Sequence, residues 1–176
     1  MINDLKKKKM KEIQLTPHFQ LQEFTKSATA RDHGIKNNPA PEHVENLRAL
    51  CVNTLEPLRE AMGLPIIITS GYRCKALNHL LVNHSVKSQH MNGEAADFYV
   101  GWNGSNDEEP SRRELLIKSF RQMILDENIS FDQLILYPKF VHASFTSRRK
   151  NRRKLTRGFS NGTYAALSRS QALTLE

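Results

Sequence analysis

The sequence predicts an α+β fold with a mainly antiparallel sheet. Four short apolar runs, residues 65–70, 94–100, 131–137 and 140–145, have the length and composition of strands. Only Pro138-Lys139 separates the last two, so they form a hairpin. Two longer segments, 41–62 and 111–127, repeat apolar residues at steps of three and four, the spacing of a helix with one buried face.

Taken in order, residues 1–14 form a basic, disordered lead and the folded part begins at Phe19, Leu21 and Phe24. A short helix is expected over 20–30, then a turn at Asn37-Asn38-Pro39-Ala40-Pro41. The helix 41–62 carries Val44, Leu47, Cys51, Leu55, Leu58 and Met62 on one stripe. Pro41 suits its first turn, Pro57 kinks or restarts it, and Gly63 ends it. The strand at 65–70 leads into Gly71-Tyr72-Arg73 and a short helix over 74–83. A loop over 86–93 precedes the second strand, and the polar loop 101–110 is a candidate flap. The helix 111–127 shows Leu116, Ile117, Phe120, Met123 and Ile124 on one face. Seven of the ten residues 148–157 are Lys or Arg, and the remainder is weakly patterned. The domain is placed at 15–157, with a tail at 158–176.

A chain of 176 residues suffices for one core. With 39% hydrophobic and 25% charged residues it reads as globular, and no run approaches the roughly 18 apolar residues of a membrane span. No apolar segment follows the N-terminal lysines, so the expectation is a protein cytoplasmic as synthesised, acting on a cell wall if released. Cys51 and Cys74 form no CxxC and read as unpaired thiols. The net charge of +8 attracts nucleic acid, anionic membrane or acidic wall polymer alike. The basic run has no interleaved aromatics, and there is no helix-turn-helix or zinc-finger signature, so no specific nucleic acid is expected. Nothing in the sequence sets an oligomeric state.

The chemistry centres on residues 88–97. His90 sits beside an Asn92-Gly93 turn, and Asp97 lies inside the apolar run Ala95-Ala96-Asp97-Phe98-Tyr99-Val100. Burying a carboxylate there is costly unless something pairs with it or binds it. His142 lies on the polar face of the strand Phe140-Val141-His142-Ala143-Ser144-Phe145, with Ser144 on the same face. Two histidines, one aspartate and an open position suit a catalytic zinc site. Zinc lowers the pKa of its water to about 7 and polarises a carbonyl.

Ser70-Gly71-Tyr72-Arg73, Leu77-Asn78, Ser88-x-His90-x-x-Gly93-x-Ala95-x-Asp97, Asp132-Gln133-x-Ile135 and Val141-His142-x-Ser144 follow one another in order. This series, over about residues 19–145, resembles the zinc D-Ala-D-Ala carboxypeptidase family, which has the hedgehog/DD-peptidase fold. The lead-in Phe19-x-Leu21-x-Glu23-Phe24-Thr25-x-Ser27 is similar to its phage and bacterial branch. The resemblance implies a peptidase of peptidoglycan stem peptides, with zinc on His90, Asp97 and His142. It implies that Arg73 binds a substrate carboxylate or carbonyl, that Ser88 fixes the loop or meets substrate, and that Ser144 supports the ligands from behind or contacts substrate.

One departure stands out. The family places a general-base glutamate near the end of the third strand or just before the last histidine, but residues 133–142 contain no Glu or Asp. Tyr137 stands at one of these positions and Lys139 lies three before His142. A tyrosine of ordinary pKa near 10 is a poor base but can orient water or bond an oxyanion. Other carboxylates are Glu94, which alternation points away from Asp97, Asp132 at the far end of its strand, and the acids of 107–109. The alternative is a zinc- and wall-peptide-binding module that has lost catalysis.

Overall fold

A computed structural model describes residues 13–82, 85–102 and 110–176. Most of the expected lead and of the 101–110 flap, including the acids of 107–109, therefore lies outside the described residues.

A small ribbon, β1 (Gln14–Thr16) against β2 (Phe19–Gln20), opens the fold. Two helices follow in place of the one expected, α1 (Leu21–Thr25) and α2 (Ala28–Asp32). Lys26 is extended, and the Ser27 side chain accepts from the Ala30 N–H, which starts a new helix.

The long helix comprises α3 (Pro41–Leu50), a π-helical turn (Cys51–Leu55) and α4 (Glu56–Met62). Pro57 accounts for the interruption. It has no N–H, so the Asn53 carbonyl loses its usual helical donor. That carbonyl instead accepts from Ser130 N–H at 2.9 Å, and Thr54 Oγ1 donates to the Ser130 carbonyl at 2.6 Å. Gly63 then closes the helix at φ 62°, in the left-handed region.

The main sheet contains β3 (Ile66–Ser70), β4 (Ala95–Val100), β5 (Gln133–Leu136), β6 (Val141–Ser144), β7 (Lys154–Gly158) and β8 (Tyr164–Ala166), in the order β3-β4-β6-β5-β7-β8. Every neighbouring pair is antiparallel except β5 and β7. Helices α5 (Lys75–Leu80), α6 (Arg112–Leu125) and α7 (Arg169–Leu173) complete the fold. Ser111 and Glu114 form a capping box that starts α6.

One sheet face carries Phe98, Val141, Ala143, Leu134 and Leu136, all buried. Helix α6 packs on β4 and β5, adding Leu116, Phe120 and Met123 to the same core. Each fully buried side chain of this size contributes about 1.5–3 kcal/mol. The sequence places the opposite residues of each strand on the other face. There the register sets Asp97 beside His142, His142 beside Ile135, and Ile135 beside Thr156.

The C-terminal third departs furthest from the sequence reading. The basic run is no merely solvated tail. Arg148 grips the buried Glu94 through two 2.7 Å bonds, and Arg149 and Arg152 converge on Asp132, which is fully buried. Buried carboxylates need such partners. Leu155 and Thr156 then enter the sheet as part of β7. Residues 158–176 hold β8 and α7, with Ala172 buried near α6. These elements are three and five residues long, too short for a periodic signal. Among the described residues no helix is long and apolar enough to cross a membrane.

Burial pushes the Asp132 carboxyl up, but hydrogen bonds from Arg149 and Arg152 outweigh it and hold it well below the usual range. Its contribution to stability is therefore present above the ordinary value of 3.8 and lost as pH falls below it. Asp132→Asn should lower the unfolding free energy at pH 7 by about 1–3 kcal/mol and flatten the loss of stability below about pH 4. Urea titrations at several pH values measure both. Identical curves for the two proteins would show that the clamp contributes nothing.

Candidate metal centre

The pairing of β4 with β6 brings two distant sequence positions together. His142 Nδ1 lies 2.8 Å from Asp97 Oδ1, and His90 Nε2 lies 3.3 Å from both. Among the described residues these three form the one group of His, Cys, Asp or Glu side chains placed to hold a metal ion.

The protons of this group fit a cation. His90 Nδ1 is 2.7 Å from the Gly71 carbonyl, which can only accept, so Nδ1 carries the proton. Nε2 then turns its lone pair towards Asp97 and His142, the orientation of a metal ligand fixed from behind. Burial lowers the pKa of His90 against the charge of Asp97 and favours the neutral ligand form. Burial alone would raise the Asp97 carboxyl, but its contacts with His90 and His142 outweigh that and hold it well below the usual range. Two nitrogens and one carboxylate oxygen, with a face open to a cleft, are the donor set of a zinc site.

The surrounding loops fix this geometry. His90 sits in a short 3-10 turn (Gln89–Asn92) that ends at Gly93, φ 70°. The His43 carbonyl occupies the space a Gly93 side chain would need, so only glycine fits. Asn46 Nδ2 donates to the Asn92 carbonyl at 2.8 Å, tying the turn to α3. Gly71 is equally constrained. A Cβ there would lie 2.6 Å from the Phe24 backbone, so α1 packs directly on the segment that orients His90.

Asn37, which sequence reasoning read only as part of a turn, clamps the same segment. It donates to the Tyr72 carbonyl at 2.8 Å and to Thr25 at 3.1 Å, and accepts from Cys74 N–H at 2.8 Å.

The other expected residues fall out differently. Arg73 NH2 bonds Asp97 Oδ2 at 2.7 Å, and its Nε bonds Ser70 Oγ at 2.9 Å. Arg73 thus holds the metal-facing carboxylate while also lining the cleft. The cleft measures about 940 Å³ and includes Ser88 and Tyr137. Ser144 does not line it. Its side chain is on the His142 face, but neighbours close over it completely and its hydroxyl has no hydrogen-bond partner among the described residues. A direct substrate contact from Ser144 does not fit that burial.

Tyr137 leans over β7. Its ring covers Gly158, where a Cβ would lie 2.5 Å from it, and stacks on Phe140 at 4.4 Å. Its hydroxyl donates to Tyr164 at 3.0 Å. Burial and the Tyr164 bond push the phenol up, so Tyr137 is protonated at neutral pH and cannot serve as base. Glu94 and Asp132 are held by arginines and stay ionised. Tyr164 escaped the sequence reading because an isolated aromatic in a Ser/Thr-rich stretch carries no pattern.

Asn37→Ala should reduce stability by about 1–3 kcal/mol and zinc affinity by about tenfold, read by urea unfolding and chelator competition. Unchanged zinc affinity would show that the Gly71 segment does not govern the site.

A family model described as Peptidase M15 matches residues 17–117, more than half of the chain. The match includes Arg73, His90 and Asp97 and ends before Tyr137 and His142. A comparison with curated proteins gives no match. The matched family and the His-Asp-His geometry agree: the chain belongs to the Peptidase M15 family of zinc metallopeptidases.

Proposed function

We propose that this chain is a zinc peptidase of peptidoglycan stem peptides, a D-Ala-D-Ala carboxypeptidase or a cell-wall endopeptidase. The observation that carries the peptidase reading is the convergence of His90 Nε2, Asp97 Oδ1 and His142 Nδ1 on the floor of a cleft, with the His90 tautomer set by Gly71. The choice of wall peptide rests on the ordered motifs from Ser70-Gly71-Tyr72-Arg73 to Val141-His142-x-Ser144.

Bound zinc supplies a Lewis acid that polarises the target carbonyl and acidifies a water. The chain's own residues do the rest. Gly71 holds His90 in its ligand tautomer, and Arg73 fixes Asp97 through Oδ2, leaving Oδ1 facing the two histidines. Tyr137 and Tyr164 share one hydrogen bond, which leaves one of their two phenolic protons to donate to a peptide in the cleft.

One observation favours a second reading, a module that binds zinc and wall peptide without cutting it. Each carboxylate considered as base among the described residues is engaged, Glu94 by Arg148 and Asp132 by Arg149 and Arg152. The two readings separate in one experiment. Incubating zinc-loaded protein with purified muropeptides should release a new amine, identified by mass spectrometry. Binding without release over a range of pH and metals would favour the module. If cleavage occurs, Tyr137→Phe should raise KM about fivefold with little change in kcat, as for a lost hydrogen bond that positions the substrate-facing Tyr164 hydroxyl. A loss confined to kcat would place Tyr137 at the reacting atoms instead.

A further inference from the structure

The cleft face of the sheet is polarised along its strands. The central row is Asp97, His142, Ile135 and Thr156. Two residues towards one end the row is Ala95, Ser144, Gln133 and Lys154. Two residues towards the other end, the Tyr137 ring lies over Gly158, which pairs with Tyr164. Two residues of strand span about 6.7 Å, roughly two residues of an extended peptide.

The two ends differ in chemistry. At the Lys154 end, Arg148, Arg149, Arg152 and Lys154 all line the cleft. The carboxylates at that end, Glu94 and Asp132, neutralise two of these four charges. The guanidinium groups remain substantially open, with side chains 60%, 45% and 51% exposed, and Lys154 is exposed. Excess positive charge on a cleft wall concentrates its field where a ligand sits. At the opposite end Tyr137, Phe140, Phe159 and Tyr164 line the cleft with aromatic surface. Apart from Glu94, these residues lie beyond 117, outside the matched family segment.

We propose that the Arg149–Arg152–Lys154 end is a subsite for a carboxylate of the substrate, about two residues from the amide held at the His90–Asp97–His142 centre. A peptide lying along the strands then places an acidic residue on the cationic end and its uncharged part against Tyr137 and Tyr164. The substrate class is an extended peptide with an acidic side chain at that distance on one side of the target bond. This deepens the peptidoglycan-peptide reading and rests on it for the choice of probe.

The test is a pair of fluorescently labelled stem tetrapeptides, alike except that one carries free D-isoglutamate and the other its amide. Titrating the full chain, kept zinc-free so that no turnover intervenes, gives both affinities by anisotropy. The acid form should bind about fivefold tighter at low salt, and the ratio should fall towards one in high salt. Lys154→Gln should also reduce the ratio, whereas Lys118→Gln, the same charge loss on α6, should leave it unchanged. Equal affinities, or equal effects of the two lysine variants, would overturn the subsite. If both peptides bind equally and the zinc-loaded chain cuts them, the subsite fails and the peptidase reading stands. If neither peptide binds or is cut, the peptidoglycan reading fails and the subsite with it.

Discussion

Everything at the site depends on a single buried carboxylate. Asp97 sits on a central strand whose neighbours are Ala96 and Phe98, both fully buried. An unpaired charge there would be costly. The structure distributes it, with one oxygen facing His142 and His90 and the other bound to Arg73. Each partner is fixed in turn. His142 is held by strand register, His90 by the Gly71 carbonyl, and Arg73 by Ser70. Removing any one leaves a polar group in the core side of the cleft without its counterpart. The packing of α1 on Gly71 and of α3 on Gly93 serves this arrangement, because both close approaches set the path of the loops that carry the ligands.

The sequence disclosed the central part of this well. The strands around Ile66, Phe98, Leu134 and Val141 announce themselves by apolar runs, and the 111–127 helix by its stripe. Asp97 was conspicuous because a charge inside a strand needs a reason. The ligand group could be named from motif order, but the reason it converges, the Asp97–His142 register across β4 and β6, is a long-range pairing that no local pattern contains. The same holds for Asn37, whose turn composition conceals three hydrogen bonds to distant backbone. The π-helical turn is foreshadowed by Pro57, yet Ser130, which takes up the freed Asn53 carbonyl, lies seventy-odd residues away.

The basic run shows where sequence reading is weakest. Seven cations in ten residues look like a solvated face or a polyanion site. Three of those arginines instead neutralise Glu94 and Asp132, buried at one end of the sheet. This pairing also bears on catalysis. A carboxylate held by guanidinium groups is a weak base, because its proton affinity has been spent on the ion pair. The charge left over gives the cleft one cationic end, and Tyr137, Phe140 and Tyr164 give it an aromatic one. The C-terminal third, the least patterned part of the chain, therefore shapes both walls around the metal ligands.

The central claim is that His90, Asp97 and His142 together hold one zinc ion. An anomalous difference map at the zinc edge, from crystals of the zinc-loaded chain, tests it most directly. The account predicts a single strong peak bonded to His90 Nε2, His142 Nδ1 and one oxygen of Asp97, with its open side towards the cleft. A peak elsewhere on the chain, or one that engages only one of the two histidines, would contradict it.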